Sequence, residues 1–197
     1  MAAKSQRGFS LIELMVTVVV ASILLAVAVP NMRKFMQRNR VANQSNNIMA
    51  DLTFARGQAA STRSYVSICP RANTTDNTCD TTTGNYDKGW IIYTAAAPNT
   101  EYKKDDPDAA ARLLRVTLVA SAVSIRASAV GPLTYNGRGE LLTPTPLTAD
   151  MTVTTCSKAS TADADGTNTT DVPGAQLMVS HSGRVATRPL ASGTVCT

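Results

Sequence analysis

The sequence predicts an α+β protein. A long N-terminal helix, with a transmembrane half and an amphipathic half, packs on a β-sandwich-like head of two antiparallel sheets. Three observations carry this. Phe9–Val29 is a predominantly apolar run of 21 residues, about 31 Å long as a helix, which matches a bilayer core. Helical periodicity resumes after Pro30 and continues to about Ser61. Beyond Tyr65 the pattern shortens to alternating β-branched and aromatic runs separated by Gly, Pro, Asn and Thr.

At 197 residues the chain has room for an anchoring helix and one ordinary domain. The expected boundaries are a leader over 1–8, a membrane and assembly helix over 9–29, an amphipathic continuation over 30–61 and a β-rich head over 62–197. Only 17% of residues are charged and 5% aromatic. Outside the apolar run the chain is rich in Thr, Ala, Ser and Asn, a balance that suits an extracytoplasmic β-rich head better than a cytosolic enzyme.

The first element follows a short basic leader, Met1–Gly8, carrying Lys4 and Arg7. An ordinary secretory signal has a shorter apolar core and ends in a small-residue cleavage site, so this run is expected to stay on the protein. One carboxylate, Glu13, sits four residues inside it. Holding that charge in lipid costs roughly 2.5–3.5 kcal/mol near a helix centre and less near its end, a cost that points to use of the charge.

In the second half of the helix, Met32, Phe35, Met36, Ala42, Ile48, Met49, Leu52, Ala55 and Ala59 recur at three- and four-residue steps. They predict one apolar stripe packed on the head, with Arg38, Arg40, Asn43, Asn46 and Asp51 opposite. Pro30 removes a backbone donor and is expected to kink the helix at the membrane exit. Residues 31–63 hold Arg33, Lys34, Arg38, Arg40, Arg56 and Arg63 against Asp51 alone, a net charge of +5. Anionic lipid headgroups or acidic neighbouring subunits account for this stalk charge more cheaply than nucleic acid does.

Eight strands are expected: Tyr65–Cys69, Gly89–Thr94, Ala111–Val119, Ser124–Ala127, Leu133–Tyr135, Met151–Thr155, Gln176–Ser180 and Val185–Thr187. Loops fall over Arg71–Lys88, Pro98–Asp108, Pro144–Asp150 and Lys158–Pro173. The last, a long Thr/Ala/Asp stretch, is expected to be mobile.

The four cysteines, Cys69, Cys79, Cys156 and Cys196, all follow the apolar run. None forms a C-x-x-C pair, and with a single histidine a zinc site is not expected. Three pairings are open. Local economy favours Cys69–Cys79 and Cys156–Cys196, each worth about 2–4 kcal/mol by loop closure. Disulfides imply an oxidising compartment, the periplasm or cell surface.

No catalytic constellation stands out, and neither enzymatic activity nor a cofactor or metal is expected. His181 lies between Ser180 and Ser182, but neighbours on a strand point to opposite faces and cannot pair as nucleophile and base. Asp163, Asp165 and Asn168 are oxygen donors in a solvated loop. Asn136-Gly137 is a strong turn pair that projects Arg138. Arg184 and Arg188 share parity on the last long strand, and no acid follows Asp171.

Arg7-Gly8-Phe9-Ser10-Leu11-Ile12-Glu13-Leu14-Met15 resembles the class III signal of type IV prepilins and type II secretion pseudopilins. The resemblance implies that a prepilin peptidase cuts after Gly8, that the new amine of Phe9 is methylated, and that Glu13 guides subunit assembly by pairing with a neighbour's Phe9 amine. It also places the N-terminus in the cytoplasm. Positive-charge counting alone would reverse that orientation, because Arg33, Lys34, Arg38 and Arg40 outnumber Lys4 and Arg7.

Ala55-Arg56 with Ala59 and Ala60, Lys88-Gly89-Trp90-Ile91-Ile92-Tyr93, Tyr135-Asn136-Gly137-Arg138-Gly139 and Ser182-Gly183-Arg184-Val185 resemble the FimT/FimU/GspH family of minor pilins and pseudopilins. The resemblance implies a subunit of a tip or priming complex for type IV pilus assembly, anchored in the inner membrane with a periplasmic head until it joins a filament. Implied partners are other minor and major pilins or pseudopilins, the inner-membrane assembly platform and membrane lipid. Two alternatives stand beside it. One is a minor pseudopilin of type II secretion. The other is a DNA-binding pilin for natural transformation, since FimT-type members use a C-terminal Gly-Arg-x-Arg to bind DNA. Here Gly183-Arg184 is followed by Arg188, two positions later than that pattern; Arg184, Arg188 and Arg138 are the candidate contacts.

Overall fold

The computed structural model describes residues 9–102, 112–119, 121–143 and 150–196. Helix α1 spans Leu11–Thr62 and runs through Pro30 without a break. The chain divides into two compact units after Met36.

In the first unit every described residue from Phe9 to Arg33 is exposed. By length and composition α1 is apolar enough there to cross a membrane. The hydroxyls of Thr17 and Ser22 donate to the carbonyls of Leu14 and Val19 at 2.8 and 2.7 Å, so neither polar group would be stranded in lipid. Pro30 has no N–H to give the preceding turn, and Asn31 Nδ2 donates to Val27 O at 3.1 Å.

The second unit is the head. Its buried helix face is Val41, Gln44, Ser45, Ile48, Asp51, Leu52, Ala55 and Ala59, a clean 3.6-residue stripe. This corrects the sequence expectation in two ways. Met32, Phe35, Met36 and Met49 are exposed, as is Ala42, and Asp51 lies inside at 3% exposure. Hydropathy alone assigned all apolar residues to one face, whereas within the head the buried helix face is the Val41–Ala59 stripe.

Sheet one contains β1 (Tyr65–Pro70), β2 (Trp90–Ala95), β3 (Leu113–Thr117), β5 (Leu133–Tyr135) and β6 (Leu141–Leu142) in the order β3-β2-β1-β5-β6. Sheet two contains β7 (Met151–Ser157), β8 (Gly166–Thr167), β9 (Ala175–Val179), β10 (Val185–Pro189) and β11 (Val195–Cys196), in the order β10-β9-β7-β8-β11, with β4 (Val123–Ala127) also paired to β7. All these pairings are antiparallel.

Period-two alternation sorts β2 into two cores. Trp90 and Ile92 join Leu52, Val66, Ile125, Val153 and Leu177 beneath the helix. Ile91 and Tyr93 face the other side of sheet one, against Cys69, Cys79 and Tyr102. The central strands β1 and β2 are therefore buried on both faces, which explains their continuous apolar runs.

Each of the eight expected strands overlaps an observed one, and the short β6, β8 and β11 are additions. β8 corrects the expectation of a loose Lys158–Pro173 loop. Asn168, 2% exposed, donates through Nδ2 to the carbonyls of Leu190 and Ala191 at 3.3 and 2.5 Å and accepts from Gly174 N at 2.8 Å. Arg126 adds ion pairs to Asp87 at 2.6 Å and Asp165 at 3.1 Å, and Lys158 pairs with Asp87 at 2.8 Å. The structure joins Cys69 to Cys79 and Cys156 to Cys196.

Candidate functional site

Two regions bring the singled-out residues together. The first is the start of α1. Phe9 is 71% exposed, and Glu13 lies in the first helical turn, where the helix dipole favours a carboxylate. Gly8, with the rest of the leader, lies outside the described residues.

The second region is the far end of the helix in the head. Arg63 follows the last helical residue with φ 52°, and Ser64 N donates to Ala59 O at 3.3 Å. This is the six-to-one bond of a Schellman cap, with arginine in the left-handed position that glycine usually fills. Gly137 packs directly on it, since a Cβ there would lie 3.0 Å from Arg63 Cα.

Seven residues back along α1, Arg56 reaches under two turns. Its Nε donates to Gly139 O at 3.0 Å. A Cβ on Gly183 would strike the Gly139 carbonyl and would come within 2.9 Å of Arg56 Nε. Leu141 N donates to His181 O at 2.9 Å. The turns carrying Arg138 and Arg184 are thus locked edge to edge over one helical arginine. Both have glycine at positive φ, 77° at Gly139 and at Gly183, which L-residues rarely adopt.

Arg138 and Arg184 are both exposed, but Arg184 precedes β10 rather than lying in it. Arg188 is on β10 opposite Gln176 and does not line the cleft that Arg138 lines. Asp163 accepts from Ser160 N at 2.7 Å, and Asp165 pairs with Arg126, so these loop oxygens serve the protein's own backbone and side chains.

Sequence reasoning missed Asp51. Its carboxylate accepts from Trp90 Nε1 at 2.7 Å, Thr117 Oγ1 at 2.6 Å and Arg115 NH1 at 2.5 Å. Arg115 is paired with Ile92 and Thr117 with Trp90, so both share the helix-facing side of the sheet, where the Arg115 guanidinium also lies 4.2 Å over the Phe54 ring. The available signal was the helical spacing of Asp51 from Ile48, Leu52 and Ala55.

An exposed apolar helix followed by a two-sheet head on its amphipathic second half defines a pilin-type subunit. Residues 3–29 match the prokaryotic N-terminal methylation motif. Residues 44–183 match the family described as type II transport protein GspH, and the chain belongs to that family. The two matches together place it in the type IV pilin and pseudopilin superfamily.

Over 44 residues the chain is 46% identical to the type IV major pilin protein PilA of Myxococcus xanthus. That segment covers 22% of this chain and 20% of PilA, so the chain matches about a fifth of that relative's length. The crystal structure of type IV minor pilin FimU from Pseudomonas aeruginosa shares the fold. Its TM-score is 0.53 at 23% identity, covering 79% of this chain and 92% of that one. The minor pseudopilin EpsH from the type 2 secretion system of Vibrio cholerae gives a TM-score of 0.45 at 9% identity, over 76% of this chain and 97% of that one.

Proposed function

We propose that this chain is a minor pilin of a tip or priming complex that starts type IV pilus assembly. The observation that carries the reading is the segment from Phe9 to Arg33, exposed along its length and helical from Leu11, with one carboxylate, Glu13, in the first turn. Lipid satisfies such a surface while the subunit is stored, and a bundle of like helices satisfies it after assembly. In lipid, Glu13 is stabilised only by an opposite charge, and the methylated amine of a neighbour's Phe9 supplies one at a fixed axial offset.

A prepilin peptidase cuts after Gly8 and exposes that amine. Pro30 gives the helix a bend where it leaves the membrane. The paired cysteines support a head exposed to the oxidising periplasm.

A second reading, a minor pseudopilin of type II secretion, is favoured by the description of the matched family. Deleting the gene and scoring piliation and protein secretion in parallel separates the two machines. Within the affected machine, Glu13→Ala is expected to abolish function while the subunit remains in the membrane. Gly8→Val is expected to leave a longer, unprocessed precursor. Normal assembly by Glu13→Ala would overturn the proposed register role.

A further inference from the structure

At the head end of α1 a polar cleft of about 350 Å³ opens between the helix terminus and the Asn136–Gly139 turn, lined by Arg63, Ser64, Tyr65, Asn136, Gly137 and Arg138. We propose that it is a docking site for a carboxylate side chain of a neighbouring pilin-type subunit, clamped between Arg63 and Arg138. The proposal rests on the assembly reading above and assigns that reading a contact in the head.

Arg63 carries the argument. A non-glycine residue at φ 52° is uncommon, and glycine would fill this cap at lower cost. An arginine kept there points to use of its side chain. Gly137 makes the arrangement possible, because any side chain at that position would press on the Arg63 backbone.

The opposite wall is equally set. Asn136 Oδ1 accepts from Arg138 N at 2.9 Å and from Glu140 N at 3.0 Å. Asn136 Nδ2 holds the Glu140 carboxylate at 2.7 Å. Arg63 and Arg138 are exposed, and among the described residues no carboxylate pairs with either guanidinium. Two exposed arginines lining a small polar recess bring guanidiniums whose planar fork suits the two oxygens of a carboxylate.

A nucleic-acid strand fits less well, because it engages successive phosphates along a groove. Arg56 beneath the cleft is committed to Gly139 O, Arg184 is on the adjoining turn, and Arg188 lies four residues further on, along β10.

The test uses the processed full-length protein in detergent micelles at low salt, with three fluorescent probes: hexaglutamate, hexaglutamine and hexathymidylate. Hexaglutamate is expected to bind at least about tenfold more tightly than either other probe, a difference of about 1.4 kcal/mol. Arg63→Gln combined with Arg138→Gln should remove that preference, and Arg188→Gln should retain it. Arg63→Gly relaxes the backbone, so its loss of binding with an unchanged or raised melting temperature excludes misfolding as the cause.

Equal hexaglutamate binding by the double variant, or none by the native protein, overturns the proposal. Tighter hexathymidylate binding that the double variant loses also overturns it, in favour of a nucleic-acid site. A gene deletion that leaves both piliation and secretion intact would instead sink the assembly reading, and leaves the binding result standing on its own.

Discussion

The indole N–H of Trp90 donates to Oδ2 of Asp51 at 2.7 Å in the interior of the head. That bond ties the helix to the second strand of sheet one. Arg115 and Thr117 complete the shell from the neighbouring strand, so one helical carboxylate gathers two strands against the helix. A buried charge is tolerated only when paired and hydrogen-bonded, and here three donors converge on it.

Asp51→Ala removes all three acceptor contacts and leaves the indole N–H without its partner. The expected loss is about 3 kcal/mol of stability. Arg115→Gln should cost less than about 1 kcal/mol, because the arginine side chain is 44% exposed and water screens it. Thermal unfolding followed by the fluorescence of the single tryptophan measures both. Equal losses would refute this ranking.

Two glycines should respond oppositely to alanine. Gly183→Ala drives a Cβ into the Gly139 carbonyl and the Arg56 side chain, from a left-handed backbone. A loss of about 2 kcal/mol or more is expected. Gly57 lies in the helix with nothing within 4 Å of its missing Cβ, so Gly57→Ala should gain about 0.5–1 kcal/mol. Melting temperatures moving in opposite directions are the expected result.

Asp80 gives a pH dependence. Partial burial raises its carboxyl pKa, but hydrogen bonds from Thr82 and Thr83 outweigh that and hold it below the ordinary 3.8. With the folded value depressed, the stabilisation is fully present above 3.8 and is lost as pH falls through the folded pKa. Carboxyl carbon shifts should titrate with a midpoint below 3.8. Asp80→Asn should flatten this part of the acid stability curve; an unchanged curve contradicts the account.

The two disulfides close loops of different length, with sequence separations of 10 for Cys69–Cys79 and 40 for Cys156–Cys196. Loop-closure entropy makes the longer one worth about 1 kcal/mol more. Paired alanine variants, Cys69→Ala with Cys79→Ala and Cys156→Ala with Cys196→Ala, compared by melting temperature, test that order.

Much of the fold was legible because its signals are local. Apolar length marked Phe9–Val29, and the aromatic and β-branched run Gly89–Thr94 marked a strand. Asn136-Gly137 marked a turn. The errors came where a residue's role depends on what lies opposite. Met32, Phe35 and Met36 match Leu52 in hydropathy yet remain exposed. Asp51 is charged yet buried, because three donors from β2 and β3 meet it.

The family signatures were legible as separate short strings, from Ala55-Arg56 to Ser182-Gly183-Arg184. Their common purpose was hidden by chain separation: 83 residues part Arg56 from Gly139, and only folding sets both turns over the helix.

By itself the sequence determined the apolar helix with its lone carboxylate, the α+β class, the strand-forming segments and the superfamily, because hydropathy, period and turn chemistry are properties of neighbouring residues. Only the tertiary structure decided which helix face is covered, which acid is buried and which glycines meet at Arg56. It also decided that Arg63 and Arg138 share a cleft that excludes Arg188. Those are relations between distant segments, set by packing and backbone geometry.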